Sequence, residues 1–150
     1  MKYLSAVLLC GALALNMATA SAETCSFTLE GSDQSRWDKD KIEVAATCTE
    51  VEITLKHVGV KPVTTGGHNW VLTDSDDIKG LAMAGMTAGP GADYVKADDK
   101  KIIAHSKLIG GGETTTFTFP TSKLKKGTSY TYFCSFPGHW AMMKGTLTFG

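Results

Sequence analysis

Short stretches of alternating apolar and polar residues recur along this chain, and they limit the folds that it can adopt. In the clearest stretch, Val51, Ile53 and Leu55 alternate with polar side chains. The same period of two appears in residues 42–44, 117–119, 130–134 and 147–149. Alternation puts apolar side chains on one face of an extended segment, as in a half-buried β-strand. Glycine-containing turns separate the stretches, so the sequence predicts an all-β sandwich or barrel of short strands.

One segment departs from this pattern and predicts a helix. Apolar and small residues at positions 78, 81, 82, 85 and 86 follow helical spacing. The polar residues 74–77 can cap the start of the helix, and Gly89-Pro90-Gly91 cannot continue it. We therefore expect one short helical flap on the side of the sandwich. No repeat or linker is evident, so we expect a single folded domain.

The charge balance narrows the classes of partner. The chain has 150 residues, with 15 basic and 15 acidic side chains. Nucleic-acid binding requires an excess of basic charge, so we expect no nucleic-acid partner. Local surface patches, rather than a net field, would select partners. A domain of this length buries roughly two-thirds of its unfolded surface, so its core needs no metal to form.

Residues 1–22 have the pattern of a secretory signal. Lys2 supplies a positive charge, residues 4–15 are almost wholly apolar, and Ala20-Ser21-Ala22 is a small-residue cleavage site. The apolar run is too short for a stable membrane span. We therefore expect residues 23–150 to form the exported domain. A retained N-terminal helix is the alternative; lipoprotein processing at Cys10 is disfavoured, because Leu9 stands where that processing requires a small residue.

The cysteine count indicates one thiol with a chemical role. Of four cysteines, Cys10 lies in the signal segment, which leaves Cys25, Cys48 and Cys134. Exported proteins meet oxidant, so their thiols tend to pair, and an odd cysteine requires an explanation. The simplest arrangement pairs Cys25 with Cys48 and leaves Cys134 free.

The segment 134–143 concentrates metal-binding side chains. A predicted strand leads to Cys134, and His139 and Met143 follow at spacings of five and four residues. Thiolate, imidazole and thioether are soft donors that select copper and related ions over magnesium or calcium. A second imidazole is needed, and His68, which we place on another apolar strand, is the best candidate. Two histidines and one cysteine in a plane, with a distant axial methionine, describe a type 1 (blue) copper site.

Four segments carry a resemblance to a known family. They are residues 67–72 (GHNWVL), 103–110 (IAHSKLIG), 133–139 (FCSFPGH) and 144–148 (KGTLT). With them the chain resembles the azurins, a family of cupredoxins, over residues 23–150. The resemblance implies a Greek-key β-sandwich or barrel and one type 1 copper that cycles between Cu(II) and Cu(I).

The resemblance also implies contacts around the copper. It adds the backbone carbonyl of Gly67 as a weak axial contact. It assigns the backbone N–H groups of Asn69 and Phe136 as donors to the thiolate, which would tune the metal. It matches Cys25 and Cys48 to a disulfide near the N-terminus of the domain.

The function that the resemblance implies is electron transfer without substrate chemistry. We expect a periplasmic electron carrier, monomeric and without stable membrane association, that passes electrons through the exposed edge of His139. The expected partners are transient redox proteins, either a c-type cytochrome or a copper or haem reductase. The apolar patch where they would dock comprises Met86, Phe136, Pro137 and Met142. The chain departs from the family pattern around this patch at Ser35, Lys61, Gly66 and Trp140.

Three other functions fit these residues less well than electron transfer does. A copper enzyme would need histidines beside Cys134 for a second copper, but Phe133 and Ser135 flank it and the chain has four histidines. A copper storage protein would present a methionine- or cysteine-rich surface instead of a rigid thiolate site. A Cys–His hydrolase would need an oxyanion hole and an orienting third group, and neither is evident.

The two histidines outside the expected ligand set have different predicted roles. His57 ends a predicted strand, and its counterpart in the family lies close to the site. We predict that it titrates and shifts the reduction potential modestly with pH. We expect His105 to be a surface or hydrogen-bonding residue.

Overall fold

The computed structural model describes residues 22–74 and 76–150. Within these residues the chain forms eight strands and two α-helices. The strands are β1 (Thr24–Gly31), β2 (Lys41–Val44), β3 (Glu50–His57), β4 (Val71–Thr73), β5 (Ile102–His105), β6 (Thr114–Pro120), β7 (Ser129–Phe133) and β8 (Lys144–Phe149). The helices are α1 (Val63–Gly66) and α2 (Ile78–Ala88), and short 3₁₀ turns span Pro90–Ala92 and Thr121–Lys123. The predicted signal segment and Cys10 lie outside the described residues, apart from Ala22.

The strands form two sheets, as the alternating pattern predicts. One sheet has the order β1-β3-β6 and the other β2-β8-β7-β4-β5. Two neighbouring pairs are parallel, β1 with β3 and β2 with β8, and the other pairs are antiparallel. Parallel neighbours cannot be joined by a tight hairpin, so the chain must cross between the sheets. The predicted all-β sandwich is confirmed.

The core lies between the two sheets and is built from the alternating positions. In β3, Val51, Ile53 and Leu55 are completely buried, and Ile53 lies opposite Phe117 of β6. Trp70, fully buried, stacks on Tyr132 with ring centroids 5.7 Å apart. Each fully buried large side chain of this kind contributes about 1.5–3 kcal/mol by leaving water. This core includes none of the side chains expected to bind metal.

The predicted helical flap corresponds to α2. Asp77 caps its first turn by accepting a hydrogen bond from the backbone N–H of Gly80. Leu81 and Ala82 bury against Val71 and Phe133 in a second, smaller cluster. The helix α1 was not expected, because Val-Thr-Thr-Gly has low helix propensity; it forms as a single turn after Pro62, where the N–H groups of Thr65 and Gly66 both bond to the Pro62 carbonyl.

The predicted disulfide is present between Cys25 of β1 and Cys48, which lies just before β3, with Cα atoms 5.8 Å apart. Cys134 is a free, buried thiol. Among the described residues no helix is long and apolar enough to cross a bilayer.

Candidate metal centre

Three of the side chains predicted to bind copper meet at one end of the sandwich. The Cys134 Sγ atom lies 3.9 Å from Nδ1 of His68 and 3.6 Å from Nδ1 of His139. The three donor atoms all lie within 4.8 Å of one another. His68 and Cys134 are 1% and 0% exposed, whereas His139 is half-buried. The cluster is therefore a closed pocket with one ligand reaching towards the surface.

The loop after β7 holds Cys134 and His139 in this arrangement. The backbone N–H of Cys134 donates to the Met143 carbonyl (2.9 Å), and the N–H of Met143 donates to the His139 carbonyl (2.8 Å). Gly138 has φ of 84°, a left-handed conformation that favours glycine. This turn lets His139 fold back towards Cys134.

Met143 lies beside the cluster with its side chain completely buried. It packs with Cys134 and Phe136. Gly31, at the end of β1, borders the same space: a methyl group added there would lie 2.7 Å from Cδ2 of His68 and 2.9 Å from Cε of Met143. The absence of a side chain at Gly31 therefore leaves room for both candidate ligands.

His68 does not lie within a strand, contrary to our expectation. It precedes β4 and forms an isolated bridge with Ile109, to which it both donates and accepts a 2.9 Å backbone hydrogen bond. This bridge stands apart from β4, which begins three residues later at Val71. The ring Nε2 lies 2.9 Å from the Ser32 carbonyl. A proton on Nε2 satisfies this carbonyl and leaves the Nδ1 lone pair facing Cys134.

The His68 and Cys134 loops are joined by a buried pair of hydrogen bonds. The Ser135 backbone N–H donates to Oδ1 of Asn69 (2.8 Å), and Nδ2 of Asn69 donates to Oγ of Ser135 (2.7 Å). Nδ2 also donates to the Asp93 carbonyl (2.6 Å). Asn69 therefore fixes the separation of the two loops through its side chain as well as its backbone.

The thiol of Cys134 has two backbone donors, those of Asn69 and Phe136, as the family resemblance implies. Burial raises the pKa of Cys134 to about 12, and these two hydrogen bonds oppose that rise. The Gly67 carbonyl oxygen lies 4.0 Å from the sulfur. Without a metal the side chain is therefore a thiol at neutral pH, and a cation is required to form the thiolate.

Both candidate imidazole ligands are neutral at physiological pH. Burial lowers the pKa of His68 to about 4, with a further contribution from nearby His57. Burial likewise lowers the pKa of His139 to about 4, and the charge of Lys61 adds to the effect. Neutral imidazole is the form that binds metals, so both rings are ready to coordinate.

The other two histidines lie outside the donor cluster. His57 is buried at the end of β3, with its ring centroid 4.1 Å from that of His68 and its Nε2 3.2 Å from Oδ1 of Asp33. Its proposed effect on the potential stays a prediction. His105 is half-buried in β5, where Nδ1 lies 3.1 Å from the Ser106 carbonyl.

The residues of the expected docking patch differ in exposure. Met86 and Met142 are 42% and 56% exposed, and Pro137 is half-buried. Phe136 is only 7% exposed, and its ring lies 4.7 Å from that of His139. Phe136 therefore packs against the His139 ring and offers little surface to a partner.

The four departures from the family pattern have distinct environments. Trp140 packs against the cluster beneath α2 instead of extending the patch. Ser35 is half-buried with φ of 55°. Lys61 is exposed and lies against buried Gly66.

Sequence reasoning missed several residues that shape the site. Gly31 provides space, Ser32 orients His68 through its carbonyl, and Ser135 bridges to Asn69. The Ser32 contact uses a backbone carbonyl, which no residue type specifies, and Gly31 acts by leaving space. The Ser135 contact could have been suspected from a serine directly after the free cysteine.

The chemistry of the donor set fits copper. One thiolate-forming sulfur, two neutral imidazoles and a neighbouring thioether form a soft, closed set of the kind that holds type 1 copper. Carboxylates, which magnesium or calcium would require, do not enter the cluster of described donors. The fold and the site thus define a single-copper protein of the cupredoxin class.

Comparison with known proteins agrees with this class. Residues 23–150 match the model of "Copper binding proteins, plastocyanin/azurin family". The chain is 49% identical to an azurin of Achromobacter denitrificans over 139 residues, which covers 90% of this chain and 93% of that protein. It is 46% identical to an azurin of Pseudomonas aeruginosa over 136 residues (91% and 92%). A solved azurin from Methylomonas sp. strain J superposes with a TM-score of 0.80 and 42% identity, covering 84% of this chain and 98% of that one.

The chain belongs to the plastocyanin/azurin family of copper-binding proteins. Its cofactor is copper, and it is an electron-transfer protein, not an enzyme.

Proposed function

We propose that this chain is a periplasmic electron carrier in which His68, Cys134 and His139 would hold one copper. Met143 would add a weak thioether ligand, and the Gly67 backbone carbonyl a weak further contact. The observation that carries the proposal is the buried cluster of one thiol and two imidazoles, whose donor atoms all lie within 4.8 Å. Copper supplies one-electron chemistry between Cu(II) and Cu(I) when it is bound there.

The protein's own contribution is a fixed set of ligands. Ser32 holds the His68 ring, Asn69 ties the two ligand loops together, and backbone N–H groups point at Cys134 Sγ. Side chains held by a closed hydrogen-bonded shell cannot rearrange freely when the charge at the site changes. A small rearrangement favours fast electron transfer.

His139 is the route by which we propose electrons enter and leave. His68 and Cys134 are inaccessible, while His139 is half-buried among Pro137 and Met142. A redox protein that docks there would come close to the copper without touching it. A c-type cytochrome or a copper or haem reductase would use this face, and the carrier would act as a monomer.

We place the protein in the periplasm because of two sequence features. Residues 1–22 have the composition of a cleaved signal, which leaves a domain of residues 23–150. The disulfide between Cys25 and Cys48 suits an oxidising compartment.

A copper titration tests the ligand assignment. Copper(II) is added to the purified domain, and visible and electron paramagnetic resonance spectra are recorded. We expect an intense blue band and a narrow copper hyperfine splitting that saturate at one copper per chain. A pale, ordinary copper spectrum would mean that Cys134 is not a ligand.

The exit route is tested separately through electron self-exchange, measured by nuclear magnetic resonance on mixtures of the two oxidation states. Met142→Lys adds a charge to the patch, and Ser122→Lys adds the same charge on the 3₁₀ turn Thr121–Lys123. We expect Met142→Lys to slow self-exchange by about tenfold at low ionic strength. Equal rates for the two variants would exclude the patch as the docking face.

A further inference from the structure

Lys61 and Gly66, two of the departures from the family pattern, are packed against each other. A methyl group added at Gly66 would lie 2.7 Å from both Cβ and Cδ of Lys61. The Lys61 stem therefore occupies the space where a side chain at position 66 would lie. Gly66 is buried and Lys61 is exposed, so the lysine covers the glycine and keeps its charged end in water.

The ammonium group of Lys61 is held near the copper ligands. Its Nζ donates to the Asp33 carbonyl at 2.8 Å. The preceding carbonyl, of Ser32, is the one that contacts His68. The His68 and His139 rings lie 5.1 Å apart. The charge of Lys61 is close enough to help lower the pKa of His139.

Asp33 is the nearby group that could cancel this charge. Its carboxylate accepts hydrogen bonds from the backbone N–H groups of Val60 and Lys61, and one of its oxygens lies 3.2 Å from Nε2 of His57. Its side chain is 21% exposed. The carboxylate keeps its negative charge, but it is mostly covered by the groups that bond to it, whereas Lys61 is exposed and its Nζ donates to a neutral carbonyl. The positive charge is the one that a partner would meet.

We propose that Lys61, seated on Gly66, makes the His139 face selective for redox partner proteins whose docking surface carries carboxylates. This inference rests on the proposed exit of electrons through His139. Of the docking patch proposed above, Met86 and Met142 are exposed by 42% and 56%, and Val63, two residues after Lys61, is exposed by 37%. The fitting partner therefore presents an apolar centre with an acidic residue on its rim. The same charge disfavours docking of a second copy, because two Lys61 side chains would approach each other.

The first test measures binding without electron transfer. Hexacyanocobaltate(III), a redox-inactive trianion, is titrated into the metal-free and the copper(I) protein while backbone amide shifts are followed. We expect shifts concentrated at Lys61, Gly66 and residues 33–35. Lys61→Gln should abolish them. Lys125 lies just before β7, at the end of that strand away from Cys134, and its backbone N–H donates to the Tyr130 hydroxyl. Lys125→Gln removes the same charge there and should leave the amide shifts unchanged.

Gly66→Ala is a second variant that keeps the net charge. The added methyl group collides with the Lys61 stem and must displace it. We expect the shifts at residues 33–35 to weaken although the lysine is still present. Unchanged shifts in this variant would contradict the role of Gly66 as the seat of Lys61.

The second test compares oxidants of opposite charge on the copper(I) protein. Hexacyanoferrate(III) is an anion and tris(phenanthroline)cobalt(III) a cation. Lys61→Gln should slow oxidation by the anion about threefold at low ionic strength and speed oxidation by the cation, and salt should erase both effects. The same substitution should speed self-exchange.

The outcomes separate this inference from the proposed function. If Lys61→Gln and Lys125→Gln give the same oxidation rate with each oxidant, Lys61 does not select partners. Rapid electron self-exchange by the wild-type protein would still support the proposed function in that case. If Met142→Lys leaves self-exchange unchanged, the His139 route itself fails. Anion shifts located away from residues 33–35, 61 and 66 would also overturn the inference.

Discussion

The side chain of Asn69 bridges to Ser135 through two buried hydrogen bonds, of 2.8 Å to its backbone N–H and 2.7 Å to its hydroxyl group. Asn69 directly follows His68, and Ser135 directly follows Cys134. The two ligand-bearing loops, 66 residues apart in sequence, are therefore tied next to the donor atoms. This link therefore holds the two loops at a fixed separation beside the donor atoms.

Replacing Asn69 with leucine should weaken both the fold and the site. The variant leaves the Ser135 backbone N–H and the Asp93 carbonyl without this partner, and a buried polar group left unpaired costs about 1–3 kcal/mol. We expect the free energy of unfolding to fall by about 2–4 kcal/mol and copper affinity by about tenfold or more. Denaturant unfolding and copper competition measure the two effects. Unchanged stability and copper affinity in this variant would show that the Asn69 side chain does not hold the two loops together.

Removing the disulfide should lower stability without changing the copper site. Cys25 and Cys48 close a loop with a sequence separation of 23. The chain-entropy model gives about 3 kcal/mol for a loop of this size. We expect the Cys25→Ala/Cys48→Ala variant to lose about that much free energy of unfolding in denaturant titrations. Its visible copper spectrum should match the wild type, and an altered spectrum would mean that β1 transmits strain to the site.

Copper(II) binding should release about one proton per metal near neutral pH. In the metal-free protein the pKa of Cys134 is raised to about 12, while those of His68 and His139 are lowered to about 4. Between these values the imidazoles are neutral and the thiol is protonated, so the thiol supplies the proton. Apparent affinity should rise about tenfold per pH unit in this range, and more steeply below pH 4.

Calorimetry in buffers of different ionisation enthalpy counts these protons directly. Cys134→Ser is the matched control, because its hydroxyl group is not expected to ionise. A wild-type protein that releases no proton would show that Cys134 does not bind as thiolate.

His57 is predicted to make the reduction potential depend on pH. Its ring lies 4.1 Å from that of His68, so a proton on His57 adds positive charge near the copper and favours Cu(I). The potential should therefore fall as pH rises, by on the order of tens of millivolts. Voltammetry of His57→Gln should give a nearly flat profile. His105→Gln, which alters a histidine outside the donor cluster, should behave as the wild type does.

The sequence predicted the parts of this structure that depend on residue type and spacing. Alternation identified the strands β2, β3, β6, β7 and β8, and soft donors at fixed spacing identified the metal-binding loop. It did not predict that His68 precedes β4, because a single bridge with Ile109 positions it. Nor did it predict Gly31, whose role is to leave space for His68 and Met143. A contact made by a backbone carbonyl, or a residue whose role is to leave space, cannot be recognised in a single sequence.

Replacing Cys134 with serine should abolish the blue colour and leave the protein folded. The hydroxyl group is a poor copper ligand at neutral pH, so the intense thiolate band is lost. The main core between the sheets does not include Cys134, and the disulfide is at another site. We therefore expect the free energy of unfolding to change by no more than about 1–2 kcal/mol. Circular dichroism and denaturant unfolding of the metal-free variant measure this. An unfolded variant would mean that the thiol, packed with Phe136 and Met143, is needed for the fold as well as for the metal.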